Sequence, residues 1–172
     1  GNVVVATKVG RHPEFTGLSA QNIISAVNSS LERLQTDHID LLYFHAEDPD
    51  VSLEESLSAV ETLMQAGKVR ALGASNFSAD RLLEARIAAG SGLPRFEAVA
   101  LEYSLMRRDI VEGNIAMMSI AQRMSVMPYF VLANGFLGRH RSIKTFNPND
   151  TRARRAAQHG GRHGTQVLRA LD

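Results

Sequence analysis

Apolar positions along this chain follow two alternating patterns. Short unbroken runs of aliphatic residues predict buried strands, and between them apolar residues three and four apart predict amphipathic helices. Val3, Val4 and Val5 lead into Ala6, Thr7 and Lys8, so a first strand buried on both faces is expected over residues 2–8. Gly10 and Pro13 break it. Ser19 then offers an N-cap, and Ile23, Ala26, Val27, Leu31 and Leu34 form the inward stripe of a helix reaching about residue 34. A second strand is predicted at residues 39–44. Ser52 followed by Glu55 has the spacing of a capping box; Leu57, Val60, Leu63 and Met64 supply the next stripe, and Gly67 ends it as a C-cap glycine.

The pattern repeats with a strand at residues 69–74, a helix capped by Ser78 and running to about residue 89, a turn at Gly90, Gly92 and Pro94, and a strand at residues 97–102. Asp109 is expected to open a fourth helix carrying Ile110, Met117, Met118, Ala121 and Met124, its methionines filling core space. Residues 126–129 read as a fifth strand. After Gly138 the chain turns basic and polar. Residues 139–164 are expected to form a mobile loop region or one folded over a ligand, before a last helical segment at about 165–171.

Strands alternating with helices imply parallel neighbours joined by crossovers. A spacing of roughly thirty residues per unit suits both a (β/α)8 barrel and a doubly wound sheet. No GxGxxG follows a strand, and neither a GxxxxGK[ST] loop nor a GxSxG elbow occurs, which favours the barrel. A complete barrel commonly needs about 250 residues. The fold class expected is therefore an α/β TIM barrel, incomplete here, with about five parallel strands in one partial domain over residues 1–172. The start, almost directly on a strand and without Met, suggests that protein precedes Gly1.

Composition narrows the function only by exclusion. At 44% hydrophobic and 22% charged, the 172 residues have the balance of a globular chain. Nineteen basic and eighteen acidic side chains give a net charge of +1, so nucleic acid and anionic membrane are not expected as partners. There is no cysteine, which removes disulfides and thiolate chemistry. No apolar run is long enough for a membrane helix, no signal-peptide pattern opens the chain, and a cytoplasmic location is the default expectation.

Candidate chemistry gathers at strand exits. Lys8, His45, Ser75 with Asn76, and Tyr129 each end a different predicted strand, and the carboxyl ends of parallel strands form one rim. Each has an ordinary reading beside a functional one. Lys8 is a solvated charge or a desolvated ammonium that tunes a neighbour. His45 is a structural histidine or a donor to a substrate oxygen. Ser75 and Asn76 make a turn or fix a carboxamide. Tyr129 is a buried aromatic or a platform for a heteroaromatic ring. No metal site is expected: His38 and His45 are seven residues apart, on opposite faces of a continuous strand, and the HGGRHG at 159–164 reads as a flexible turn.

Four segments in order, ATK at residues 6–8, IDLLYFHAEDP at 39–49, GKVRALGASNFS at 67–78 and PYFVLANGFL at 128–137, together resemble the aldo-keto reductase family. The resemblance implies a (β/α)8 barrel in which NADP(H) delivers a hydride to a small-molecule carbonyl substrate, an aldehyde or ketone. It implies that Lys8 is the lysine that depresses the pKa of a tyrosine acid and that His45 orients the carbonyl. By the same resemblance Ser75 and Asn76 hold the nicotinamide carboxamide, Tyr129 stacks on the ring, and the backbone around Leu132 follows the pyrophosphate. The family's catalytic aspartate and tyrosine fall before its lysine strand, so both are expected upstream of Gly1 and the isolated 172 residues are expected to be weak or inactive. Tyr43 and Tyr103 do not occupy that tyrosine's place. Ala100 stands where a glutamine is common, and Phe130, Val131 and Leu132 replace a serine-proline-leucine. A non-catalytic cofactor-binding or regulatory barrel is the alternative.

Overall fold

The computed structural model describes residues 3–138 and 149–171. The chain forms two compact units, one comprising residues 1–100 with 114–127 and the other residues 101–113 with 128–172. Five strands share one sheet in the order β1-β4-β5-β6-β7: β1 (Ala6–Val9), β4 (Ile39–Phe44), β5 (Val69–Ser75), β6 (Phe96–Glu102) and β7 (Ser125–Tyr129). Pairing is parallel from β1 through β6. The connections are α1 (Ala20–Leu34), α2 (Leu53–Gln65), α3 (Ala79–Gly90) and α4 (Asn114–Gln122). Sequential parallel strands with a helix at each crossover are the architecture of a partial (β/α)8 barrel.

The helix starts are set locally. The hydroxyls of Ser19, Ser52 and Ser78 accept from the backbone N–H groups of Asn22, Glu55 and Arg81 at 3.4, 3.2 and 3.2 Å. The Ser52 motif is only half a capping box. Glu55 Oε1 reaches away to accept from the Ala20 N–H at 2.9 Å, tying the start of α2 to the first residue of α1. Gly67, at φ +72°, follows the last turn of α2 and releases the chain into β5.

Alternation along the strands sorts the first unit into two faces. Leu42 and Phe44 of β4 are fully buried with Ile23 and Val27 of α1 and Leu57 and Val60 of α2. Phe44, Phe77 and Phe96 pack ring to ring at 5.3–6.5 Å. On the other face Leu41 and Tyr43 meet Ala98 and Ala100 in a separate cluster.

Several expectations need correction. Val3 and Val4 are exposed and precede β1, which begins only at Ala6. The fourth helix starts at Asn114. Residues 109–113 are turn, where Gly113 takes φ +112° and Arg108 pairs with Glu112 across one turn. Only Met124 of the predicted methionine stripe is buried, whereas Met117 is 63% exposed. Between β1 and α1, where Gly10 and Pro13 break the first strand pattern, β2 (Arg11–His12) and β3 (Phe15–Thr16) form a small antiparallel hairpin.

In the second unit, residues 133–135 form a short 3-10 turn, followed by α5 (Thr151–Ala157) and α6 (Arg162–Leu171). The expected loop region 139–164 therefore contains a helix capped by Asp150, whose Oδ1 accepts from the Arg152 N–H at 2.8 Å. Its residues 139–148 lie outside the described residues. The glycine pair of the HGGRHG segment separates α5 from α6.

Candidate active site at the strand exits

Register fixes the site in the first unit. Lys8 pairs with Tyr43, Tyr43 with Gly73, and Gly73 with Ala98, so the four form one row across β1, β4, β5 and β6. Two residues further along, Ser75 of β5 pairs with Ala100 of β6, and His45 follows directly on the end of β4. His45 and Ser75 thus form an outer layer above the row that holds Lys8 and Tyr43.

The His45 backbone N–H donates to the Val9 carbonyl at 3.0 Å, continuing the ladder to the strand exit. Asn76 sits just past β5 with φ +57°, a left-handed backbone that asparagine accepts more readily than most residues. From there its Nδ2 donates to the His45 carbonyl at 2.8 Å and to Ser75 Oγ at 3.1 Å, while its backbone N–H donates to the Ala100 carbonyl at 3.1 Å. One asparagine therefore joins the exits of three strands. Ser75 is buried and His45 half-buried. Burial, with the positive charges of Arg11 and Lys8, holds the His45 imidazole below its usual pKa range. At neutral pH it is a neutral ring with one N–H to give.

Lys8 departs from the desolvated ammonium expected of a functional reading: it is exposed, and its Nζ lies over the Tyr43 ring, 5.3 Å from the centroid. Four of the six predicted residues, Lys8, His45, Ser75 and Asn76, are brought together on this rim. Tyr129 and Leu132 belong to the second unit. There the Tyr129 carbonyl accepts from the Tyr103 N–H at 3.2 Å, its ring meets Phe130 edge-on at 5.0 Å, and the Leu132 side chain is exposed.

Sequence reasoning passed over the residues that hold these exits in place. Glu47 accepts from the Ser78 N–H, and Asp48 accepts from the Leu18 N–H at 2.7 Å. Arg81 donates to the carbonyls of Asp48 and Val51 at 3.2 and 3.0 Å, clamping the loop after β4 onto α3. A cavity of about 430 Å³ opens beside this loop, lined by Arg11, Thr16, Glu47, Asp48 and Asp50 among others. In the second unit a cavity of about 590 Å³ lies against Phe130, Leu132, Asn134 and Gly135, with Arg152 and Arg155 of α5 on its wall. The cluster of arginines after Asp150 was the available signal for the latter.

A partial parallel barrel whose polar side chains collect at the carboxyl ends of its strands defines the class: a protein of the (β/α)8 fold. The sequence model of the Aldo/keto reductase family matches residues 1–171, and the chain belongs to that family. Among curated relatives it is similar to aldo-keto reductase str7 of Strobilurus tenacellus, 34% identical over 154 residues, covering 88% of this chain and 44% of the relative. It is likewise 32% identical over 155 residues to aldo-keto reductase YhdN of Bacillus subtilis, covering 87% and 45%. Norsolorinic acid reductase B of Aspergillus parasiticus is 32% identical over 166 residues, covering 92% and 41%. The chain thus spans less than half the length of these relatives.

Proposed function

We propose that this chain is the central part of an NADPH-dependent carbonyl reductase, spanning the third to seventh barrel strands and acting on a small aldehyde or ketone. The observation that carries the reading is the outer layer of the rim, where a neutral His45 stands beside the Ser75 and Asn76 pair that is hydrogen-bonded to its own backbone.

The residues fit the cofactor in two places. Ser75 Oγ and the Asn76 amide offer donor and acceptor atoms for a carboxamide. In the second unit, taken by itself, Arg152 and Arg155, with the turn at Leu132, line a cavity suited to phosphate oxygens. Ala100 withdraws one amide partner from this set. The bound cofactor would supply the hydride. His45 donates its N–H to the carbonyl oxygen and fixes its orientation, while the Lys8 ammonium adds positive potential where negative charge develops on that oxygen. The proton comes from a group outside these 172 residues, so the isolated segment is weak or inactive.

Ala100 and the Phe130, Val131, Leu132 segment favour a second reading, a non-catalytic barrel that keeps the cofactor for regulation. Carbonyl-dependent NADPH oxidation by the full-length protein separates the two. Turnover lost in His45→Gln and Lys8→Met supports the enzyme; NADPH binding without turnover against a panel of aldehydes and ketones supports the regulatory reading.

A further inference from the structure

We infer that Arg81 is a positioning residue for His45: it pins the chain that follows His45 along the first turn of α3, so that the exits of β4 and β5 keep one fixed spacing. The inference rests on the carbonyl-reductase reading for its consequence in turnover, though not for the pinning itself.

Residues 45–52 form neither strand nor helix. The connection is nevertheless tied at four points to partners that all lie within residues 76–81. The His45 carbonyl accepts from Asn76 Nδ2 at 2.8 Å, and the Glu47 carboxylate accepts from the Ser78 N–H. Arg81 makes the other two. Its Nη2 donates to the carbonyls of Asp48 at 3.2 Å and Val51 at 3.0 Å, while Nη1 pairs with Glu84 at 2.6 Å. A planar fork with several N–H groups serves these acceptors together, which a point charge does not.

The turn that carries Arg81 is itself fixed. Phe77 is buried and packs against the rings of Phe44 and Phe96, and Leu82 is buried, its N–H donating to the Ser78 carbonyl at 3.0 Å. Phe44 is the residue just before His45. The histidine is therefore held on its strand side by a ring seated on Phe77, and on its loop side by the guanidinium four residues further along the same segment. From the opposite direction the Asp48 carboxylate accepts from the Leu18 N–H at 2.7 Å, which tethers the connection to the start of α1.

Arg81 thus acts through His45. Removing it takes the two ties furthest from the strand and lets the connection swing about His45. Asn76 keeps its place, because its backbone N–H donates to the Ala100 carbonyl at 3.1 Å. Loss of Arg81 therefore disturbs the carbonyl-orienting side of the rim and spares the carboxamide pair, an asymmetry that a general loss of stability does not produce.

The test uses the full-length protein with histidine rings labelled for NMR, in Arg81→Ala and in Glu84→Gln, which removes the exposed ion pair and leaves both carbonyl bonds. The His45 ring signal is expected sharp in the unmutated protein and in Glu84→Gln, and broadened in Arg81→Ala. At saturating NADPH, Arg81→Ala lowers kcat about 10-fold, within the roughly 100-fold that a misplacement of about 1 Å costs, while NADPH affinity stays within about 2-fold. Glu84→Gln keeps full kcat. Should Arg81→Ala fail to fold, Arg81→Lys, which lacks the fork, is read in the same way. A sharp His45 signal with full kcat in the folded variant, even at a lowered unfolding midpoint, overturns the inference. So does a loss of NADPH affinity larger than the loss of kcat, which puts the effect on Ser75 and Asn76. A broadened His45 signal in Arg81→Ala, with full turnover in His45→Gln, upholds the positioning and overturns the reductase role of His45.

Discussion

Replacing Asn76 by alanine removes its side-chain hydrogen bonds to the His45 carbonyl at 2.8 Å and to Ser75 Oγ at 3.1 Å, and leaves a β-carbon in a left-handed backbone at φ +57°. The hydrogen bonds are near the surface, and their loss costs about 0.5–1.5 kcal/mol together. Left-handed backbone costs an alanine roughly 1–2 kcal/mol, which asparagine partly escapes. Asn76→Ala should therefore lose about 1.5–3.5 kcal/mol by the same two terms. Asn76→Gly makes the same hydrogen-bond loss without the strain, but adds about 0.4–1 kcal/mol through the freer unfolded chain. Glycine should thus be the milder replacement by about 1 kcal/mol. Urea unfolding followed by circular dichroism reads this directly. With a slope of about 1–3 kcal/mol/M, the midpoint of Asn76→Gly lies roughly 0.3–1 M above that of Asn76→Ala. Equal midpoints, or a lower one for glycine, would refute the claim that backbone geometry at position 76 selects asparagine.

Other expected outcomes follow from the same geometry. His45 is held below its usual range, so the unfolded chain takes up a proton first as pH falls; the stability tied to neutral His45 is present above about pH 6.5 and declines below it. Denaturant midpoints measured from pH 8 to pH 5 should show a slope that His45→Gln reduces. Phe44→Ala empties the centre of the three-ring cluster and should cost about 3–5 kcal/mol, visible as a large drop in the unfolding midpoint. Ser56 is buried and donates to the Leu18 carbonyl at 2.7 Å, so Ser56→Ala should cost about 1–3 kcal/mol and speed hydrogen exchange around Leu18. Gly164→Ala would drive a Cβ into the His159 carbonyl oxygen, and hydrogen exchange should report α6 loosened in that variant.

The features legible in the sequence were those fixed within a few residues. Ser19, Ser52 and Ser78 cap helices because the hydroxyl and its N–H partner are three residues apart, and β4 begins and ends where its apolar run does. The features that escaped depend on distant partners. Val3 and Val4 have strand composition yet are exposed ahead of β1, and Met117 has core chemistry at an exposed helix position. Glu55 has capping-box spacing, yet the Ala20 N–H, thirty-five residues away, takes its carboxylate. The helix at Thr151–Ala157 was hidden because a short arginine-rich segment with no buried residue has no apolar period to read. Site candidates came from strand ends and family resemblance. The Lys8, Tyr43, Gly73 row did not, since it exists only once the register of three strands is known.

The proposed nicotinamide site is tested most directly by titrating the protein with NADPH while following backbone amide resonances. Saturable shifts centred on His45, Ser75 and Asn76, and lost together in Asn76→Ala, are the predicted result; saturable binding that leaves all three unmoved would contradict a nicotinamide site on this rim.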